Sequence, residues 1–423
     1  MEPIAGLNAP TAAERLEAVR LLAGSAPGPA AGRDVNNHIH TTYSFSPYSP
    51  SLAVWRAKEA GLCTAGLMDH DSVGGAREFL AAAEILRLPV TVGMECRVSF
   101  ADTPFAERRI NNTEQPGIGY IALHGIPHNQ LDAADSWMRP YREIRFARSR
   151  AMTRRLNGLL PGDLPPLDYE RDVEPLSQVR DSGTVTERHL LLALARSICT
   201  HAGRGRALPD WLRSVLDIKL GEKQALLLGD EDNPCLEHDL LGVLKAEFLE
   251  RFYIPAQGEC PPVSEAAAFA RDHGVVLAYA YLGDVGESVT GDKKAQRFED
   301  EYLEELLDCL HALGFEAITY MPARNTAAQL ARLQELCRRF SFFEICGEDI
   351  NSPRQSFLCP ALRCPEFSHL YDAAWALIGH ELRAETDLRC GMFSPETKRR
   401  WPVLSDRVGV YRDAALCAHG RKE

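Results

Sequence analysis

Two histidines one residue apart, His38 and His40 in "DVNNHIH", are the first residues of this chain whose types and spacing suit chemistry. On a strand, side chains at i and i+2 share a face, so both imidazoles would point the same way. Further along, "MDHD" supplies Asp69, His70 and Asp71, "GMEC" supplies Glu95, "ALHG" supplies His124 and "CGEDIN" supplies Asp349. Mixed imidazole and carboxylate sets suit zinc, manganese or iron, and a bridging carboxylate can hold two ions close together. Paired ions of this kind activate water and clamp the oxygens of a phosphoryl group during in-line displacement. Each motif alone has a plainer account. A lone HxH is more often a hydrogen-bonded pair, Asp71 can cap a helix, Glu95 can form a strand-end ion pair, His124 can be a core histidine and Asp349 can shape a turn. Their shared placement at the ends of successive strands is what favours a metal site.

Those strands alternate with helices. "DVNNHIH" leads into the helical "SLAVWRAKEAG", then the strand "CTAGLMDHD", the helix "GGAREFLAAAEILR", the strand "PVTVGMECRVSF" and later "GYIALHGI". Repeated strand–helix units predict a parallel sheet or a barrel, with chemistry at the C-terminal strand ends. The rhythm stops near Gln130 and returns near Ser264. Between them, "YREIRFARSRAMTRRLNGLL", "TERHLLLALARSIC" and "LEHDLLGVLKAEFLERF" have helical period and little strand character. The expected organisation is an N-terminal helix and a Gly/Pro/Ala-rich linker in 1–33, an α/β unit from 34–130 and 264–360, an all-helical insertion in 131–263, and a mostly helical extension in 361–423.

Composition narrows the function classes. The 423 residues are 45% hydrophobic and 25% charged, ordinary for a globular chain. A formal net charge of −12 disfavours broad binding to duplex DNA, which needs clustered Lys and Arg. Twelve cysteines lie scattered without a CxxC pair, the pattern of reduced thiols in a cytoplasmic protein. The N-terminus lacks the form of a signal peptide, and no apolar run is long enough to span a bilayer.

The order "HIH", "MDHD", "GMEC", "LHG", a helical insertion, "GVVLAYAYLG" and "CGEDIN" resembles the PHP (polymerase and histidinol phosphatase) family of metal-dependent phosphoesterases. The likeness is to the branch with a helical insertion, which includes nucleotide phosphatases and RNA-trimming phosphoesterases. The resemblance implies a distorted (β/α)7 barrel and up to three metal ions. It implies that His38, His40, Glu95 and Asp349 hold the first ion, that Glu95 bridges to a second ion also bound by His124, and that His70 belongs to a third. Asp69 would orient groups or carry a proton beside the cluster, and Asp69 or His70 would assist proton transfer.

Departures from the pattern reduce that set. Tyr279 stands in "AYA" where the family has a histidine, and Asn351 stands where a third-site histidine is expected. Ser46, Pro47 and Tyr48 follow "HIH" without an imidazole or carboxylate. The resemblance then implies one or two divalent ions per chain, zinc, manganese or iron, acting on a small phosphorylated substrate such as a nucleotide. Three residues are candidates for holding that substrate: Arg354, just after Asp349; Tyr279, whose ring could stack on a base or sugar; and Arg148, on an arginine-rich helical face that could form a basic rim. A fold retained after its chemistry has changed, leaving a ligand-binding or regulatory protein, is the alternative, as is a metal hydrolase of a non-phosphate bond.

Overall fold

Seven short strands carry the alternation seen in the sequence. In the computed structural model, which describes residues 3–25, 32–112, 114–285 and 297–421, they are β1 (Val35–Ile39), β2 (Thr64–His70), β3 (Val90–Ser99), β4 (Ile118–His124), β5 (Val276–Tyr281), β6 (Ala317–Tyr320) and β7 (Phe343–Cys346). They form one sheet in sequence order. The expected linker falls largely on residues 26–31, outside the described residues.

The expected distorted seven-stranded barrel is present, and β4 is where it departs from a purely parallel one. β1 to β3 run parallel, as do β5 to β7, but β4 is antiparallel to both neighbours. The described residues between β3 and β4 hold no helix to carry the chain back across the sheet, so the strand returns alongside its predecessor in the opposite sense. The sheet nearly closes. His40 donates its backbone N–H to the Ile350 carbonyl and Ile350 donates to that of His38, both at 3.0 Å. Asn37 adds a side-chain bond to the Cys346 carbonyl at 2.9 Å. This closure requires Gly347, since a Cβ there would lie 2.5 Å from that of His38.

Sequence alternation sorts the side chains onto two faces. Met68, Ala122, Val276, Ala278, Ala317 and Ile345 point inward and pack with Leu377 and Tyr411 of the C-terminal helices Ser368–Thr386 and Leu404–Ala418. Leu67, Met94, Ile121, Leu123, Tyr279 and Ile318 point outward under the surrounding helices. Local signals start those helices: Ser49 caps Pro50–Glu59 and accepts from Leu52 N–H, while Thr326 and Gln329 form a capping box for Ala327–Phe340.

The helices between β4 and β5 share a core of their own, built on Leu190, Leu191, Leu194, Leu240, Leu244, Phe248 and Phe252. Phe45, from the loop after β1, is part of that core. Thr184 and Gln178 donate backbone N–H groups to the carbonyls of Tyr43 and Thr42, at 2.8 and 3.2 Å. The loop after β1 is therefore a stretch on which the helical insertion is seated. All twelve cysteines are free. Among the described residues no helix is long and apolar enough to cross a membrane.

Candidate metal centre

The closure of the barrel assembles the site. Ile350 pairs with Ile39, so its neighbour Asp349 faces the same interior as His38 and His40. Asp349 Oδ1 lies 3.1 Å from His40 Nε2. From the other side, His70 and Glu95 are cross-strand partners in β2 and β3. Glu95 Oε2 stands 3.1 Å from His70 Nδ1, 3.5 Å from His38 Nε2 and 3.8 Å from His40 Nε2. One ligand atom from each of His38, His40 and Glu95 falls within 4.8 Å of the others, all three residues being buried.

The donor atoms fit a cation. His38 Nε2, His40 Nε2 and both ring nitrogens of His124 are buried without a hydrogen-bond partner among the described residues. Buried polar atoms are nearly always bonded, and leaving one unmade costs roughly 1–3 kcal/mol. Neutral imidazole nitrogens grouped around a carboxylate are the ligand set of a divalent transition ion. Titration separates the rings: burial opposes charge on His38, but Glu95 outweighs it and raises that pKa, whereas His124 and His40 are lowered. Burial pushes the His124 pKa down to about 3, aided by the charge of His38 and only partly opposed by Glu95. Burial and the neighbouring His70 also lower His40. Burial raises Glu95, but His70 and His38 outweigh it and hold the carboxyl well below its usual range. The same contest, with His40 as the strongest opponent of burial, keeps Asp349 ionised.

A hydroxyl outside the expected set orients His40. Ser44 donates to Asp69 Oδ1 at 2.6 Å, and the same oxygen lies 3.3 Å from His40 Nδ1. Thr41 fills the remaining capacity of Asp69 through its N–H and hydroxyl, both at 2.6 Å. Nδ1 of His40 is thus the protonated nitrogen, and Nε2 keeps its lone pair for the site. Asp69 acts from behind the cluster as a positioning residue, its oxygens occupied.

Other expected residues sit elsewhere. Because β4 is reversed, the end that carries His124 lies one layer below Glu95, whose own partner on β4 is Ala122. His124 faces the barrel interior beneath the compact trio. Tyr279 pairs with Ile121, one residue out of phase with the inward Ala122 and Ala278, so its ring points outward. Its hydroxyl donates to Glu299 at 2.5 Å and accepts from Asn111 N–H at 3.1 Å. Tyr279 is fully buried and holds neither metal nor base.

Arg148 does not form a basic rim. It is buried in an ion network with Glu259, Glu187, Arg97 and Arg145, and gives a further bond to the Ile254 carbonyl at 2.8 Å. Helical period alone does not reveal which face is covered, and this face packs onto the barrel. Arg354 turns away from the cleft to Asp239 of the insertion, at 2.6 and 2.7 Å. Asn351 donates to Asp349 Oδ1 at 2.5 Å and so steadies that carboxylate. Three residues escaped the sequence argument: Ser44; Tyr120, whose ring is 6.2 Å from that of His70; and Arg188, which donates to Asn351 Oδ1 at 2.8 Å. The bond from Ser44 depends on how the loop folds back, which no motif announced.

A nearly closed seven-stranded barrel with a buried histidine–carboxylate cluster at its mouth is the architecture of a metal-dependent hydrolase. The PHP domain family profile matches residues 36–316, about two thirds of the chain, and the protein belongs to that family. Among solved structures, a candidate metal-dependent phosphoesterase from Bifidobacterium adolescentis is similar with a TM-score of 0.53 and 19% identity, over 81% of this chain and 96% of that one. An amidohydrolase from Chromobacterium violaceum, with bound sulfate and no metal, is similar with a TM-score of 0.50 and 17% identity, over 80% of this chain and 96% of that one. No curated protein matches. These likenesses establish the barrel. Family and site together support divalent metal binding and hydrolase chemistry.

Proposed function

We propose that the chain is a metal-dependent phosphoesterase that hydrolyses a small phosphate monoester, with a nucleotide among the expected substrates. The observation that carries this reading is the pair of unpartnered imidazole nitrogens of His38 and His40 gathered about Glu95, with the unpartnered ring of His124 a layer below. His38, His40, Glu95 and Asp349 would hold the principal ion, and Glu95 with His124 below it would hold a second where one binds. When bound, such an ion lowers the pKa of water and offsets charge on a phosphoryl oxygen. His70, 3.1 Å from Glu95, stands at the rim to receive or return a proton. Asp69 and Ser44 fix the His40 ring, and Asn351 fixes Asp349. Zinc, manganese and iron all suit these donors.

The test is elemental analysis of the purified protein followed by a phosphate-release screen over sugar, amino-alcohol and nucleotide monoesters with each ion restored. One to two ions per chain and phosphate release are expected, both lost in His38→Ala/His40→Ala. Undiminished turnover in that double variant, or no release across the panel by metal-loaded protein, refutes the proposal. The second outcome would favour a ligand-binding role, a reading supported by the outward turn of Tyr279 and by an inward face of β5 made of Val276, Ala278 and Ala280, none of which can hold a metal.

A further inference from the structure

The insertion brings two cations to the cleft above the cluster. Arg188 lies in the first turn of the helix Glu187–Ala202, and Lys245 in the last turn of the helix Leu236–Glu247. These helices pack on each other through Leu190, Leu194, Leu240 and Leu244, which fixes where their polar ends emerge. From Arg188 a short chain of contacts leads to the site: Nη1 to Asn351 at 2.8 Å, Asn351 to Asp349 at 2.5 Å, and Asp349 to His40 at 3.1 Å.

Both cations have unused capacity. A guanidinium has five N–H donors, and among the described residues Arg188 uses one, on a neutral amide; the Phe45 ring lies 5.8 Å from its centre. Lys245 reaches solvent and has neither a hydrogen bond nor an ion pair among the described residues. It feels Arg188, Glu114, Glu187 and Asp349, and the Arg188 charge, ahead of burial, lowers its pKa. Arg148 and Arg354, in contrast, have committed their donors to Glu259, Glu187 and Asp239. Two like charges kept together beside a cleft, with neither sealed by a carboxylate, are arranged for an anion that arrives from outside.

We propose that Arg188 and Lys245 form a clamp that receives a phosphate group of the substrate over the metal centre. Arg188 supplies a planar fork that can take two phosphate oxygens, and Lys245 supplies a point charge from the opposite helix. The inference rests on the phosphoesterase reading for the identity of the anion and extends it to the residues that select it.

Inorganic phosphate is the probe, titrated calorimetrically into the full chain, first stripped of metal and then with zinc or manganese restored. In the stripped protein, Arg188→Ala and Lys245→Ala should each weaken phosphate binding tenfold or more. Arg188→Lys should recover part of the loss, and Lys219→Ala, at an exposed lysine of the insertion, should match wild type. Lys245→Ala touches no partner and should keep the wild-type metal content, which separates a clamp defect from a damaged fold. Unchanged phosphate affinity in both alanine variants, or no phosphate binding by wild type, overturns the clamp. Monoester turnover with unaltered KM in both variants overturns it too while leaving the phosphoesterase reading standing. Phosphate binding that depends on both residues, without turnover of any monoester, supports the clamp and defeats that reading.

Discussion

Ser44 donates its hydroxyl proton to Asp69 at 2.6 Å and sets the same oxygen 3.3 Å from His40 Nδ1. A buried carboxylate thereby fixes the tautomer of a metal-facing histidine through one intervening hydroxyl. Outer partners of this kind contribute roughly 10- to 100-fold in metal affinity. Ser44→Ala should weaken zinc binding by about tenfold, and Asp69→Asn by more because Thr41 loses its acceptor as well. Competition with a chromophoric chelator measures this, with Ser46→Ala as the neighbouring control. Equal affinity in wild type and Ser44→Ala would show that the relay is not needed.

Tyr279, which the sequence resemblance sets at a histidine position, points out of the barrel. Tyr279→His should therefore add no metal ion, and elemental analysis of that variant should give the wild-type count. Tyr279→Phe removes the donor to Glu299 and should cost about 1–3 kcal/mol in urea denaturation, the range for a buried acceptor left short of a partner. An extra ion per chain in Tyr279→His would contradict the outward orientation.

Arg148, with Arg97 and Arg145, neutralises Glu187, Glu259 and Asp71 where the insertion meets the barrel. All six side chains are largely buried, so loss of one cation leaves carboxylate charge uncompensated. Arg148→Ala should lower stability by about 3–5 kcal/mol. Adding Glu259→Gln should restore part of it, and metal content per folded chain should not change. A loss below about 1 kcal/mol in chemical denaturation would be incompatible with this network.

His380 ties the C-terminal helix to the base of the barrel. Its Nε2–H donates to the Gly274 carbonyl at 2.8 Å, and its Nδ1 accepts from Met392 N–H at 2.9 Å, a bond that only the neutral ring can make. Burial lowers its pKa from 6.5 to about 4. Between those values the unfolded chain binds the proton that the folded one refuses, so stability falls as pH drops from 6.5 toward 4. The full contribution is about 3 kcal/mol at 1.36 kcal/mol per pH unit. Denaturation at pH 7 and pH 5 in wild type and His380→Gln isolates it. The acid-dependent loss should shrink in the variant, and an identical loss in both would assign the effect to other groups.

The centre was readable in the sequence because metal chemistry restricts residue types and strand geometry restricts spacing. HxH on a strand can only present both rings to one face, and His70 and Glu95 ended up as cross-strand partners because β2 and β3 pair in sequence order. The seven strands and the long helices followed from hydrophobic period in the same way. The direction of β4 did not, since strand period is the same in either sense; that reversal moved His124 beneath the cluster and put Tyr279 on the outer face.

By itself, the sequence determined which groups could bind an ion and on which kinds of element they lie, because both depend on side-chain chemistry and local period. Only the tertiary structure decided which charges are spent and which are free. Arg148 and Arg188 stand on helices of the same insertion, yet one is sealed against Glu259 and the other reaches Asn351 beside Asp349. That difference depends on which face each helix turns toward the barrel, and packing between distant segments sets it. The loop "TTYSFSP" shows the same division. Its residue types announce no ligand, but once Phe45 is buried in the insertion core, Ser44 is held against Asp69 and His40 and becomes part of the site.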